Sequence, residues 1–320
     1  CGAKLPIIGL IAGAIFGGSP LIAASAYFIG IGSIILSGII LKKLKAFAGE
    51  PAPFVMELPA YHIPSWVGVL RATWERGWSF IKRAGSVIVI SSIIIWFLSS
   101  FGTVNGQFGL VDNLFEDESL VTDEYIEQLA DRMDVDVEDV NAMDASMLAS
   151  LGNGLSVVFK PLGFGNWKPA VATITGLVAK EEVVGTFGVL YNYDDEEEEL
   201  GEEGEQIWDR VAADYTMAGA LAFMVFNLLC APCFAAIGAI KREMNSPKWT
   251  WATIGFMTAW AYVMAFIFYN IGGLITGEVA FGVGPVIGIL LIGCLIYLLF
   301  RKGYQPEGGV KNLTAVKAHN

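Results

Sequence analysis

Two thiols with a proline between them form the most reactive stretch of the sequence. Cys230 and Cys233 lie three residues apart, so on a helix their side chains share one face. Pro232 has no backbone N–H to donate, which leaves the carbonyl of Leu228 free. Thiolates bind soft or borderline transition metals, and broken helices with free carbonyls line ion sites in transporters. We therefore treat Cys230 and Cys233 as candidate metal ligands.

Three other interpretations of the thiol pair stay open: two small buried side chains, a redox pair, or half of a zinc site. Redox pairs usually accompany a thioredoxin-like βαβ pattern, which the sequence lacks. Zinc needs two further Cys or His ligands, whereas the only histidines are His62, in a proline-flanked segment, and His319, near the end.

A second reactive cluster, Lys180, Glu181 and Glu182, lies inside the apolar segment 169–190. Each charge at the middle of a bilayer costs about 2.5–3.5 kcal/mol on insertion scales. Neighbours on a helix point about 100° apart, so Lys180 cannot neutralise both glutamates locally. We predict that this cluster handles cations or protons; the alternative is a structural salt bridge to another helix.

The composition indicates a membrane protein. Hydrophobic residues make up 54% of the 320 residues, charged residues only 16%, and the mean hydropathy is +0.56. Of the 32 acids, 13 lie in 112–144 and 11 in 194–214, so the net charge of −12 belongs to two loops and gives no support for nucleic-acid binding. No phosphate-binding loop, nucleophile elbow or zinc-protease motif occurs, so the chain shows no enzyme site of its own.

The fold class that we predict is all-α: a polytopic membrane helical bundle with broken or re-entrant helices and an interfacial amphipathic helix. The candidate spans are 5–17, 20–41, 84–101, 169–190, 216–240, 249–270 and 283–300. The interfacial helix is 65–83, where tryptophans recur at helical spacing opposite a charged face.

The distribution of basic residues predicts the orientation. Residues 42–83 carry seven Lys or Arg, 241–248 three and 301–320 four, so these segments belong inside. The loops 102–168 and 191–215 carry three and one, and belong outside. The segment 169–190 then begins and ends outside, so it must re-enter, or the shorter apolar piece Met147–Phe159 must dip in beside it.

Five stretches, in this order, resemble the FeoB-type ferrous iron transporters and together cover most of residues 1–301. They are CGAKLP (1–6), WERGWSFIKRAG (74–85), KPLGF (160–164), GLVAKE followed by VGT (176–186), and CAPC followed by KRE (230–243). The first and last are similar to the two gate motifs of that family.

The resemblance implies a permease that moves Fe²⁺ into the cell between facing gate motifs. Cys1, Cys230, Cys233, Glu181 and Glu182 would line the metal path, with Cys230 and Cys233 as metal ligands. Lys180, Pro232 and Lys4 would support them. Fe²⁺ would be the transported substrate and not a bound cofactor.

The resemblance also implies an N-terminal cytosolic GTPase domain, and GTP would act only through that domain. Because the chain opens on Cys1 without an initiator Met, we expect it to begin inside a longer protein. The expected partners are the lipid bilayer, that GTPase domain and a small FeoA-like cytosolic protein; a homo-oligomer is open. The expected location is the inner (plasma) membrane, with the C-terminus cytoplasmic.

We divide the chain into 1–101 (first gate motif, span, interfacial helix and following span), 102–168 (acidic extracytoplasmic loop region) and 169–320 (central Lys-Glu segment, second gate motif and C-terminal spans). Two alternatives are a cation-coupled nucleoside-type permease, for which the core offers few polar side chains, and a membrane anchor. The embedded charges of Lys180 and its two neighbours argue against an anchor.

Overall fold

The computed structural model of the chain describes residues 2–47, 65–117, 119–133, 137, 140–178, 180, 182–191, 201 and 204–304. Its helices are α1 (Leu5–Phe16), α2 (Pro20–Lys42), α3 (Trp66–Ser100), α4 (Val111–Phe115), α5 (Asp123–Met133), α6 (Met147–Phe159), α7 (Trp167–Val178), α8 (Glu182–Leu190), α9 (Trp208–Asp214), α10 (Met217–Leu229), α11 (Phe234–Met244), α12 (Pro247–Thr276) and α13 (Val283–Phe300). Short 3-10 turns occur at Gly2–Lys4, Lys45–Phe47, Ala142–Ala145, Lys160–Leu162 and Glu205–Ile207. The predicted helical bundle is confirmed, with a small β-hairpin as its addition.

Three helices in the described part of the chain, α2, α12 and α13, are long and apolar enough to cross a membrane. Helices α9 and α10 add a fourth if they count as one span bent by 116°. The spans predicted at 20–41, 249–270 and 283–300 are therefore confirmed. The short first run is α1, which ends at Gly17 in the left-handed region (φ 60°), a conformation that favours glycine.

Helix α3 runs without a break from Trp66 to Ser100. The sequence predicted two helices here, an interfacial one over 65–83 and a span over 84–101. The structure joins them into one helix of 35 residues, about 52 Å long at 1.5 Å per residue and so longer than the hydrocarbon core. The expected boundary between the two helices is absent, and the interfacial position of the first half stays a prediction.

Three basic segments meet at one end of the bundle. Lys43 Nζ donates to the carbonyl of Leu299, and the N–H of Tyr304 donates to the carbonyl of Lys43 at 3.3 Å. The rings of Phe47 and Trp249 lie 5.5 Å apart, edge to face. The ends of α2 and α13 and the start of α12 therefore lie together, and the cytoplasmic position of this end stays a prediction.

The segment predicted as an acidic loop, 102–168, contains a folded lobe. Strands β1 (Phe101–Val104) and β2 (Gln107–Leu110) pair antiparallel around Asn105 and Gly106, which have φ of 45° and 85°, as a type I′ turn requires. The lobe and the helices α6, α7 and α8 share one cluster of buried apolar side chains. The lobe contributes Val104, Val111, Leu129, Met133 and Ala145, and the helices contribute Leu148, Ala149, Trp167, Val171 and Leu190. The lobe is thus fixed to the helices that carry the charged cluster.

Candidate functional site

The thiol stretch lies in a break between two helices. Helix α10 ends at Leu229, α11 begins at Phe234, and the four residues between them are not helical. Cys230 and Cys233 have extended backbone (ψ 170° and 162°), so the expectation that they share a helical face is wrong. The reason is Pro232, which cannot donate to the α10 hydrogen-bond pattern and disfavours a helical conformation in the residue before it. The expected discontinuity of this helix is confirmed.

Helices α7 and α8 fold back on each other as a hairpin. Thr186 Oγ1 donates to Thr175 Oγ1 at 3.1 Å, although one continuous helix would hold these residues about 16 Å apart. Gly176 allows this close approach, because a Cβ there would lie 2.7 Å from a methyl carbon of Val183. The segment 169–190 is therefore not one continuous helix, and α6 packs beside α7 as well. That both ends of the segment lie outside the membrane on one side stays a prediction.

The tip of this hairpin places Lys180 in the helix break. The side chain is 1% exposed, and Nζ donates to Cys230 Sγ at 3.0 Å and to the carbonyl of Asn227 at 3.3 Å. Burial of a lysine at membrane depth costs about 2.5–3.5 kcal/mol. A thiol and a carbonyl freed by the end of α10 offset part of that cost.

A second lysine reaches the break from the start of the sequence. Lys4, at the end of the turn before α1, donates to the main-chain carbonyl of Leu228. This is the carbonyl that the sequence predicted Pro232 to free. The two stretches that resemble gate motifs are therefore joined by this contact, while α1 packs along α10.

Asn227 is a candidate that the sequence analysis missed. Its side chain is 1% exposed, its Nδ2 donates to the carbonyl of Phe223 at 3.1 Å, and its Oδ1 has no hydrogen-bond partner within the described ranges. A Cβ on Gly176 would lie 3.9 Å from both Asn227 Oδ1 and Lys180 Cδ, so the oxygen and the lysine stem border the same space at Gly176. A buried acceptor without a partner costs about 1–3 kcal/mol. The available signal was an amide inside an apolar run, three residues before a thiol.

The side chains of three expected site residues are not described by the structure. Cys1 and Glu181 lie outside the described residues, and Glu182 begins α8 without a described side chain. Within the part of the chain that is described, no group of three or more His, Cys, Asp or Glu side chains could hold a metal ion. The atoms that the break offers a cation are thiol sulfurs and oxygens of Asn227 and Leu228.

A partly buried ion pair lies at the other end of the α7–α8 hairpin. Lys168 Nζ lies 3.6 Å from Asp214 Oδ2 and 4.5 Å from the ring centroid of Tyr191. The hydroxyl of Tyr191 donates to the same carboxylate oxygen at 2.6 Å, and Arg210 donates to the Tyr191 carbonyl. These contacts join the start of α7, the end of α8 and α9, and they hold the hairpin whose tip carries Lys180.

Two family models match the chain. Residues 23–76 match the model described as ferrous iron transport protein B C terminus, and residues 81–247 match the Gate model, described as nucleoside recognition. The Gate match covers more than half of the chain and contains both the hairpin and the thiol stretch.

Curated relatives are named as iron transporters. The Fe(2+) transport protein A/Fe(2+) transporter FeoB fusion protein of Porphyromonas gingivalis is 33% identical over 288 residues, 85% of this chain and 33% of the relative. The Fe(2+) transporter FeoB of Methanocaldococcus jannaschii is 31% identical over 278 residues, 86% and 36% of the two chains. The Escherichia coli transporter of that name is 30% identical over 352 residues, 94% and 40%. The chain thus spans 33–40% of the length of these relatives, and no solved structure matches it.

Proposed function

The chain belongs to the FeoB family of ferrous iron transporters, and on that premise we propose that it forms the membrane path by which Fe²⁺ enters the cell. The observation that carries the proposal is the broken helix, which brings thiols and freed carbonyls together inside the bundle. Irregular backbone at membrane depth is tolerated only in a protein core or at a cavity, and in transporters it coordinates ions.

The ligand chemistry suits a borderline divalent cation. Cys230 and Cys233 supply sulfur, and Asn227 and Leu228 supply carbonyl oxygen. Conduction requires an ion to bind strongly enough to enter and weakly enough to leave. A path that alternates soft sulfur with harder oxygen meets both requirements for Fe²⁺, because no stage combines a full set of strong ligands.

The remaining predicted residues enter as parts of this proposal. Cys1 enters the proposal through the resemblance of residues 1–6 to the first gate motif, which implies that its thiol contacts the metal in transit. Glu181 and Glu182 adjoin Lys180, and at least one is expected to serve as a harder carboxylate ligand or a proton acceptor.

The partners follow from the family. The relative named as a fusion of transport protein A with FeoB supports a FeoA-like cytosolic partner for this chain. GTP is proposed to act through the GTPase domain that the resemblance implies. The plasma membrane is the proposed location, with the joined ends of α2 and α13 and the chain end at Asn320 on the cytoplasmic side.

Uptake of radiolabelled Fe²⁺ into vesicles that contain the full-length transporter tests the proposal. Replacing Cys230 and Cys233 together by Ser is expected to lower uptake by about tenfold or more, the size of effect typical of altered metal sites, with normal membrane insertion. Cys294→Ser is the matched control, because this thiol is exposed on α13, away from the break. Uptake that survives the double change assigns the pair to packing.

The Gate match also keeps a nucleoside-type permease as a second candidate, because its description refers to nucleoside recognition. The same vesicles distinguish the two. Uptake of a labelled nucleoside that does not depend on Fe²⁺, together with no uptake of Fe²⁺, would favour the second candidate.

A further inference from the structure

We propose that the ammonium of Lys180 is a tethered cation that occupies the seat of the transported metal when the path is empty, and that Asn227 Oδ1 completes this seat. The inference rests on the proposed function, because it concerns the same helix break. It adds the Lys180 ammonium as a competitor for the metal and Asn227 Oδ1 as a further ligand.

The first step is that Lys180 uses the atoms a metal would use. Its Nζ lies 3.0 Å from Cys230 Sγ and 3.3 Å from the Asn227 carbonyl oxygen. A divalent transition metal bound to this sulfur and oxygen would lie about 2.0–2.3 Å from each of them. An ion that bound both atoms from the side on which Nζ lies would overlap Nζ, so on that side the ammonium and the metal exclude each other.

The second step is the oxygen that the ammonium leaves without a partner. Asn227 Oδ1 is buried, has no hydrogen-bond donor among the residues described here, and borders the same space at Gly176 as the stem of Lys180. The bond from Asn227 Nδ2 to the Phe223 carbonyl holds the amide in place. A cation with several coordination positions can bind this oxygen together with the sulfur and the main-chain carbonyl. An ammonium with two partners leaves the oxygen unused.

The third step is that the break repeats the arrangement. Lys4 donates to the carbonyl of Leu228, next to the Asn227 carbonyl that Lys180 uses. Both freed carbonyls therefore hold a lysine from a different part of the chain. The presence of two lysine ammonium groups on a path for cations is explained if the metal replaces each of them in turn as it passes.

This arrangement selects among cations. Entry requires an ion that competes for the thiol of Cys230 and displaces Lys180, whose flexible four-carbon stem allows the ammonium to withdraw. Na⁺ and K⁺ are hard, singly charged ions with little affinity for sulfur, so they gain too little at this seat to displace the ammonium. A borderline divalent ion binds Cys230 as the thiolate, with the thiol proton released to solvent, and also gains the unused Asn227 oxygen.

Binding of Co²⁺ to the purified full-length transporter tests the inference, with the cobalt–thiolate absorption band as the signal. Lys180→Met keeps the length of the side chain and removes the tethered charge, so Co²⁺ affinity is expected to rise by about tenfold or more, or 1.4 kcal/mol per tenfold. Asn227→Leu is expected to lower it. Lys248→Met removes an exposed lysine at the start of α12 and is expected to leave the affinity unchanged.

The outcomes separate the inference from the proposed function. Dependence of the band on Cys230 tests the function; a band absent from wild type, Lys180→Met and Lys180→Gln alike would overturn both. A band that needs Cys230, with affinity equal or weaker in Lys180→Met, overturns the inference and leaves the function in place. If Lys180→Met fails to insert, Lys180→Gln answers the same question, since its amide can still donate to the Asn227 carbonyl without a charge. Unchanged affinity in Asn227→Leu removes that oxygen from the seat.

Discussion

The ammonium of Lys4 and the main-chain carbonyl of Leu228 form a hydrogen bond across 224 residues of sequence. This carbonyl can accept from Lys4 because the residue four positions later, Pro232, has no N–H to occupy it. The proline therefore determines how the first stretch of the chain contacts the thiol stretch.

Pro232→Ala is expected to close the break. It restores the missing N–H and removes a helix penalty of about 3 kcal/mol, so α10 can extend through Cys230 and the Leu228 carbonyl turns to its own helix. We expect Fe²⁺ uptake to fall by about tenfold with insertion retained. Pro247→Ala, at the first position of α12, is the control that leaves uptake intact. Wild-type uptake in Pro232→Ala would show that the break is not needed.

The two regions between spans are expected to lie on one extracytoplasmic side. Cysteines introduced at Asp117 and at Glu197 should both react with an impermeant thiol reagent added from outside, in a Cys294→Ser background. A cysteine at Lys45, beside the joined ends of α2 and α13, should not react. Labelling of Asp117 and Glu197 from opposite sides would contradict the predicted orientation.

Glu181 and Glu182 are expected to act in transport through their charge. Glu→Gln keeps the shape of the side chain and removes the charge, so at least one single change should reduce uptake and alter its dependence on pH, because a carboxylate in a low-dielectric site needs a cation or a proton. If uptake and its pH profile survive both single changes and the double change, the segment is structural.

Gly176→Ala is expected to destabilise the α7–α8 hairpin. The new Cβ would lie 2.7 Å from a Val183 methyl carbon, and overpacking of this kind costs about 1–3 kcal/mol. The apparent Tm of the detergent-solubilised protein should fall. Gly77→Ala in α3, where nothing lies within 4 Å of the added carbon, should not lower it. Equal Tm values for the two variants would mean that the hairpin tolerates the methyl group.

Asp144 is expected to make stability depend on pH. Burial raises the pKa of this carboxyl above its ordinary 3.8, and the Asn141 N–H and the charge of Lys168 only partly oppose the shift. A raised folded-state pKa means that the stabilising contribution is complete below pH 3.8 and is lost as the pH rises through the raised value.

Asp144→Asn should remove this dependence, because the amide oxygen can still accept from Asn141 without ionising. Thermal unfolding of both proteins across the acid range measures it. Wild-type and variant curves that stay parallel would assign the pH response to other groups.

Local chemistry explains what the sequence could predict. Hydropathy and length predicted the three spans that are confirmed, and the lack of an N–H at Pro232 predicted the helix break. The count of Lys and Arg predicted a fold-back within 169–190, where the structure has the α7–α8 hairpin. Each of these predictions depends on one short stretch of sequence or on a property summed over several stretches. The error about Cys230 and Cys233 also has a local cause, since the face they would share exists only if the helix continues through the proline.

What the sequence could not predict depends on contacts between distant residues. The acceptors of Lys180 lie 47 and 50 residues away, so neighbouring glutamates were the only partners visible beforehand. Asn227 is a candidate because its Oδ1 has no hydrogen-bond partner among the described residues, and only the packed structure reveals this. Asn105-Gly106 is a hairpin signal that the sequence carries, although the region around it was predicted as an acidic loop.

The contact between Lys43 and Leu299 spans 256 residues and has a consequence for biosynthesis. The buried hydroxyl of Ser33 in α2 likewise accepts from Trp260 Nε1 at 2.6 Å, a partner that exists only after α12 has been made. Contacts between such distant residues form late in folding. We therefore expect helix α2 to lie in the bilayer without these polar partners until α12 and α13 have been made. A nascent chain that stops before α13 is the form that we expect membrane quality-control proteases to remove first.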